Sequence, residues 1–138
     1  MNVDSIINGV VIDHIAAGKG LVIYNHLGLK DLDCTVALIQ NVISEKMGKK
    51  DIIKIDAAID FDMQVLGYID PSATVNIIRD GNIIEKKTLT LPETLTNVVY
   101  CKNPRCITQT EQELDHVFKL TDAENRVYRC MYCEAKAE

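Results

Sequence analysis

The chain has 138 residues, of which 47% are hydrophobic and 25% charged, a composition typical of a folded globular protein. Its 20 acidic residues outnumber the 15 basic ones, and the net charge of −5 argues against non-specific binding to nucleic acid or an anionic membrane. The sequence lacks the roughly 18 consecutive apolar residues of a membrane-spanning helix, and its N-terminus lacks the basic and apolar regions of a signal peptide. We therefore expect a cytoplasmic protein with reduced thiols, no membrane partner and no nucleic-acid partner.

The first part of the chain alternates strand and helix patterns. The β-branched run 9–15 predicts a buried strand, and residues 18–28 predict a helix with Gly28 as its C-terminal cap. A second strand is predicted over 33–44. The apolar stripe predicted for the helix consists of Leu21, Val22, Tyr24 and Leu27.

Strand and helix patterns continue up to residue 89. Residues 51–59 predict a third strand, and 60–70 predict a short helix with Asp60 as its N-cap. Two β-branched runs within 73–89 flank the dipeptide Asp80-Gly81, which is a good sequence for a hairpin turn.

This order of elements is β-α-β-β-α-β with one additional hairpin strand. It predicts an α+β, ferredoxin-like domain, in which both helices cover one face of an antiparallel sheet. The Thr-rich segment 89–97 contains a proline and is interpreted as a linker. We therefore predict an N-terminal domain over 1–95 and a small, β-rich, metal-binding domain over 96–138.

Four cysteines in the last third of the chain have the spacing C-x4-C-x23-C-x2-C. Each pair is close enough for two thiolates to face one ion across a tight turn, which favours a closed, structural site for one Zn²⁺ per chain. A closed site leaves no coordination position for a substrate, so this zinc would fold the domain rather than catalyse a reaction. Two disulfides are the alternative, and reduced thiols in the cytoplasm disfavour them. The predicted ligands are Cys101, Cys106, Cys130 and Cys133.

The N-terminal domain shows no catalytic motif, so the sequence favours a binding protein over an enzyme. In a strand, Lys50 and Lys54 point to the same face about 13 Å apart and could converge on one polyanion. Lys86 and Lys87, at the end of the last hairpin strand, could join them. A solvated strand face is the alternative interpretation. Strict alternation also places Asp13 and His14 on opposite faces near a strand end.

Several segments occur together in an order that resembles a known family. They are GVVIDHI, MGKKDIIKI, PSATVNII, LPETLTNVVYC and the four-cysteine framework. The chain thereby resembles the regulatory chains of aspartate carbamoyltransferase, an enzyme of pyrimidine biosynthesis. The resemblance implies a non-catalytic subunit whose N-terminal allosteric domain binds CTP as inhibitor and ATP as activator. It also implies a regulatory-chain homodimer, and a zinc domain that docks onto the catalytic chain. A stand-alone nucleotide sensor, whose zinc ribbon acts on another protein, is the alternative.

The resemblance also implies which residues bind the nucleotide. Lysines would meet the phosphates and the base carbonyl, Asp13 and the backbone near Ile6 would read the base, and His14 and Lys86 would lie beside the phosphates. The implied nucleotide-binding residues are Val3, Asp4, Ser5, Ile6, Val11, Asp13, His14, Lys50, Lys54, Asn76, Ile78, Ile83 and Lys86.

Polar and aromatic residues between the paired cysteines would lie on exposed knuckles, where they could contact a protein partner or remain solvated turn residues. The resemblance implies that four residues contact the catalytic chain or support that contact. They are Asn103, Arg105, Tyr132 and Glu134.

Overall fold

A computed structural model describes residues 6–137 of the chain. It divides between Thr90 and Leu91 into two compact units, which are considered separately below. The sequence places the boundary at 95/96, five residues later, because it treats the intervening segment as linker. Residues 1–5 lie outside the described part, and with them three of the implied nucleotide-binding residues, Val3, Asp4 and Ser5.

The N-terminal unit is an antiparallel sheet of five strands with two short helices, in the predicted order β-α-β-β-α-β-β. The elements are β1 Gly9–Ala16, α1 Gly20–His26, β2 Val36–Ser44, β3 Gly48–Ile55, α2 Met63–Ile69, β4 Thr74–Arg79 and β5 Asn82–Thr88. Strand β3 lies between β1 and β2 and is antiparallel to both, and β4 and β5 follow on the other side of β1 in the order β2-β3-β1-β4-β5. This is the split βαβ arrangement of a ferredoxin-like fold, so the prediction is confirmed.

The hydrophobic core lies between the helices and one face of this sheet. Alternate residues of β1, β3 and β4 point into it, because successive side chains of a strand leave on opposite faces. Ile23 of α1 and Leu66 of α2 close the core from the helix side, and both are fully buried. The sheet residues in the core are Val10, Ile12, Ile15, Ile53, Ile55 and Val75. The opposite face carries the remaining strand side chains, which include several lysines.

Both helices differ in detail from the prediction. Gly20 and Ile23 are the buried residues of α1, whereas Leu21 and Val22 are 48% and 41% exposed, so the predicted stripe is wrong at two positions. Gly28 adopts the left-handed conformation expected after a helix, with φ of 64°. In α2 the N-cap is Asp62, whose carboxylate accepts the backbone N–H of Gln64 at 2.9 Å, and not Asp60.

The predicted hairpin forms between β4 and β5. Asp80 and Gly81 both have positive φ, 52° and 76°, as a tight primed turn requires. The turn also holds the segment before β1, because the N–H of Gly81 donates to the carbonyl of Ile7 at 3.0 Å. The N–H of Asp80 donates to the side-chain oxygen of Asn8 at 3.2 Å.

The C-terminal unit is a three-stranded antiparallel sheet in the order β6-β7-β8. Its apolar core is small and consists mainly of Leu95, Phe118 and Tyr128, and the hydroxyl of Tyr128 donates to the carbonyl of Pro92 at 2.6 Å. The linker prediction is wrong for the short strand β6, which pairs with β7. The strands are β6 Thr94–Thr96, β7 Val117–Asp122 and β8 Val127–Cys130. Within residues 6–137, no helix is both long enough and apolar enough to cross a membrane.

Candidate functional site

A row of side chains crosses the outer face of the N-terminal sheet. Val11 is paired with Lys54 on one side and with Asn76 on the other, and Asn76 is paired in turn with Lys86. Directly paired residues of antiparallel strands share a face, so these four side chains line up across β3, β1, β4 and β5. Two of the implied lysines are thus brought together with an amide between them, on the face away from the core.

A third lysine of this face, Lys50 of β3, contacts Asp13 near the end of β1. The ammonium of Lys50 is 2.9 Å from the carboxylate of Asp13, and both side chains are about one-fifth exposed, at 17% and 22%. Burial opposes ionisation of Asp13, but the hydrogen bonds from Lys50 and from the backbone N–H of His14 outweigh it and lower the pKa of this carboxyl. Asp13 is therefore ionised at neutral pH, and it holds the ammonium of Lys50 beside the row, farther along β3 than Lys54.

His14 occupies an irregular position in β1. Its φ is 56°, and the register with β3 shifts between Ile12 and Ile15, so a bulge interrupts the strand. Its ring nitrogen Nδ1 lies 3.0 Å from the hydroxyl oxygen of Thr74, the residue paired with Asp13. The prediction that Asp13 and His14 lie on opposite faces is therefore wrong, because strict alternation ends at the bulge.

Asn76 carries an unsatisfied group at the centre of the row. The residue is only 7% exposed, and its side-chain oxygen is buried without a hydrogen-bond donor. Most buried acceptors have a donor, and an unpaired one costs about 1–3 kcal/mol. A molecule bound on this face could supply the missing donor.

Apolar residues continue the site toward the hairpin turn. Ile78 is paired with Gly9 on β1 and with Ile83 on β5, so these residues form a second row beside Asn76 and Lys86. Ile83 is 59% exposed, which leaves an apolar surface beside the cations. Ile6 lies next to this row, because a side chain at Gly9 would collide with Ile6 and with the Ile55 carbonyl.

The four predicted metal ligands come together in the C-terminal unit. Their sulfur atoms all lie within 4.8 Å of one another, with Cys101 and Cys133 3.6 Å apart and Cys106 and Cys130 3.8 Å apart. A tetrahedron of thiolates around zinc, with Zn–S bonds of about 2.3 Å, places its sulfurs about 3.8 Å apart. The donor set therefore fits a tetrahedral metal ion. The alternative of two disulfides is wrong, because all four cysteines are free.

Hydrogen bonds favour the thiolate form of one of these cysteines, which is the form that binds a metal. The backbone N–H of Ala135 and the side-chain amide of Asn103 stabilise the thiolate of Cys133 and lower its pKa to about 6. Burial instead raises the pKa of Cys101 to about 12, so this thiol needs a cation to ionise. Asn103 is itself oriented by the backbone N–H of Arg105, which donates to its side-chain oxygen at 3.1 Å.

The implied contact residues lie around the cysteine cluster. Arg105, Tyr132 and Glu134 are exposed, whereas Asn103 is half-buried and supports Cys133. Sequence reasoning missed two apolar neighbours, Ile107 and Met131, which are 50% and 43% exposed. Their position directly after a metal-binding cysteine was the available signal, since residues in such knuckles point outward.

Comparison with known proteins identifies the family. Residues 1–90 match the model of the allosteric domain of the aspartate carbamoyltransferase regulatory chain, and residues 93–138 match its metal-binding domain. The chain belongs to the family of aspartate carbamoyltransferase regulatory chains. The prediction of a non-catalytic subunit is thereby confirmed, and the four cysteines all fall within the metal-binding domain of the family.

Curated relatives are similar over nearly their whole length. The regulatory chain of Clostridium tetani is 53% identical over 135 residues, covering 97% of this chain and 94% of the relative. That of Clostridium botulinum strain Hall is 52% identical over 134 residues, covering 97% and 92%. The regulatory chain of Bifidobacterium longum is 43% identical over 138 residues, covering 100% and 99%.

Proposed function

We propose that this chain binds the nucleotides CTP and ATP on the outer face of its N-terminal sheet and controls the catalytic chain of aspartate carbamoyltransferase in pyrimidine biosynthesis. CTP inhibits the catalytic chain, and ATP opposes this inhibition. The chain acts as a homodimer, and its metal-binding domain docks onto the catalytic chain. An effector can shift the catalytic chain between two states only by binding them with different affinity, typically by about 1–3 kcal/mol.

The charges on the outer face support a triphosphate ligand. Lys50, Lys54 and Lys86 lie on β3 and β5 around the same row, in a chain whose net charge is −5. Ammonium groups are strong partners for phosphate oxygens, and three of them on one face offer a triphosphate several charge-assisted contacts. The imidazole of His14 lies at the same end of the sheet as the Lys50–Asp13 pair.

The single observation that carries the proposal is the buried oxygen of Asn76 without a donor. It lies between Val11 and Lys86, where a ribose hydroxyl or an exocyclic amine can donate to it. The apolar surface of Ile78 and Ile83 beside it suits the flat face of a base. This combination of cations, an unsatisfied acceptor and an apolar wall matches the three chemical parts of a nucleotide.

The metal is proposed to be Zn²⁺, held by Cys101, Cys106, Cys130 and Cys133. Four thiolates in a closed tetrahedron are the usual ligands of structural zinc. When bound, the ion cross-links the two knuckles and adds folding free energy to a unit with a small apolar core. Asn103 orients one ligand through its amide, and the exposed Arg105, Tyr132 and Glu134 supply the contact with the catalytic chain.

Calorimetric titration of the zinc-loaded full chain with CTP, with and without excess ATP, tests the proposed site. We expect saturable binding of CTP that ATP displaces, because both nucleotides use the same cations. Lys54→Ala should weaken binding by about tenfold or more, since it removes one charge-assisted contact worth about 1.5–3 kcal/mol. A folded, zinc-replete chain that binds neither nucleotide would overturn the proposal.

Lys49→Ala provides the matched control for Lys54→Ala. Lys49 lies on the same strand, β3, but its parity is that of the core-facing Asp51, so it points away from the row. The two variants change the net charge equally. Equal losses of CTP affinity would show that only overall charge matters and would contradict the assigned face.

A further inference from the structure

We propose that Asp70, at the end of α2, is a positioning residue for the nucleotide site, because it fixes the bulge of β1 that carries Asp13 and His14. This inference rests on the proposed nucleotide-binding function. Asp70 lies on the helix side of the sheet and is only 2% exposed, so it cannot itself belong to the outer face. Its carboxylate nevertheless reaches the end of β1.

The contacts of Asp70 join three elements. One carboxylate oxygen accepts the backbone N–H of Ala16, the last residue of β1, at 2.7 Å. The other accepts the backbone N–H of Ser72 at 3.0 Å and its hydroxyl at 2.5 Å. The same hydroxyl lies 3.3 Å from the carbonyl oxygen of His14. Asp70 thus ties the end of α2 and the segment entering β4 to the irregular part of β1.

Burial of a carboxylate at the end of α2 is energetically unfavourable. The carbonyl end of a helix disfavours negative charge, and a carboxylate buried without hydrogen bonds is strongly disfavoured. Lys19 offsets part of the unfavourable charge at this helix end, since its ammonium donates to the carbonyl of Ile69 at 3.0 Å. The hydrogen bonds that Asp70 accepts therefore offset the unfavourable burial of its carboxylate. What the protein gains from this arrangement is the geometry that these bonds impose on β1.

That geometry needs external support. A residue other than glycine in the left-handed region is strained, and such a conformation persists only where its surroundings hold it. Asp70 holds Ala16, two residues after His14, in register with Lys50. The bulge in turn places the His14 ring against Thr74 and leaves the Asp13 carboxylate beside Lys50. Loss of Asp70 is therefore transmitted to the side chains of Asp13 and His14 on the opposite face.

The variant Asp70→Asn tests this directly in the zinc-loaded full chain. An amide has one acceptor oxygen, so either Ala16 or Ser72 loses its acceptor, and an NH2 group faces an N–H. We expect CTP affinity in calorimetry to fall about tenfold, the factor equivalent to a lost contact of ~1.4 kcal/mol. We also expect the imidazole NMR signals of His14 to shift in the nucleotide-free protein, a readout that a general loss of stability would not produce.

Asp62→Ala is the matched control. Asp62 is the exposed N-cap of the same helix, so alanine there removes the capping bond to Gln64 and destabilises α2 at the end opposite Asp70. It should leave CTP affinity and the His14 signals unchanged. Should Asp70→Asn fail to fold, the exposed Ser72 gives a second test. Ser72→Ala should weaken CTP binding about threefold, and Ser72→Thr, which keeps the hydroxyl, should restore it.

The outcomes separate this inference from the proposed function. Wild-type chain that binds CTP, together with Asp70→Asn and Ser72→Ala variants that bind it equally well with unmoved His14 signals, overturns the positioning role. Wild-type chain that binds no nucleotide, while Asp70→Asn still shifts the His14 signals, overturns the proposed function and leaves the control of the β1 bulge by Asp70 supported.

Discussion

Replacing Asn76 with leucine is expected to stabilise the N-terminal unit and to weaken nucleotide binding at the same time. Leucine has the same branched skeleton as asparagine but no polar atoms. The buried oxygen of Asn76 has no donor, and an unpaired buried acceptor costs about 1–3 kcal/mol. Removing it beside the apolar Val11 should raise the free energy of unfolding by about 1 kcal/mol, which for a unit of this size is a rise in Tm of roughly 4–8 °C.

The assay is differential scanning calorimetry of the zinc-loaded chain, followed by titration with CTP. Asn82→Leu is the control, because Asn82 lies on the neighbouring strand but is exposed, and surface substitutions usually change stability by less than about 0.5 kcal/mol. The opposite pattern in Asn76→Leu, a lower Tm with unchanged CTP affinity, would refute the reasoning. It would mean that Asn76 stabilises the free protein and does not serve a ligand.

Three further predictions concern charge, metal and assembly. The folded pKa of Asp13 is below its ordinary value of 3.8, so the stabilisation it gives is complete above that pH and is lost as pH falls through the folded pKa. Asp13→Asn should therefore have a lower free energy of unfolding than wild type at neutral pH. Urea unfolding should show this difference shrinking as the pH falls below 3.8, and a difference that persists at low pH would contradict the reasoning. Cys130→Ala should lose the metal, as measured by elemental analysis, and its C-terminal unit should unfold. The far-UV circular dichroism signal of the N-terminal sheet should persist, since that sheet has its own core. Full metal content in this variant would contradict the ligand assignment. Tyr132→Asp should abolish co-elution with the catalytic chain in size-exclusion chromatography at normal zinc content, and unchanged co-elution would exclude this residue from the contact.

The sequence allowed local features to be predicted well where one residue type dictates the backbone. The hairpin at Asp80-Gly81 is an example, because few sequences tolerate positive φ at two successive positions. The metal cluster is another, because the spacing of cysteines limits which sulfurs can meet. The sheet order followed from the alternation of strand and helix patterns.

What could not be predicted depends on contacts between distant segments. The bulge at His14 is set by partners some sixty residues away, such as Thr74, and no local signal marks it. Asp51 and Asp70 gave no sign of being buried, since their partners are backbone N–H groups that any sequence supplies. The stripe of α1 was wrong because Ile23 competes with Leu21 and Val22 for the core, and only tertiary packing decides among apolar neighbours.

The most direct test of the central claim is the activity of the catalytic chain reconstituted with this regulatory chain, measured as CTP is raised at fixed substrate. With wild-type chain, we expect CTP to inhibit and ATP to reverse the inhibition, and we expect Lys54→Ala to assemble normally but to respond only at much higher CTP. An assembled enzyme whose activity ignores CTP, although the regulatory chain within it binds the nucleotide, would contradict the claim that this site controls catalysis.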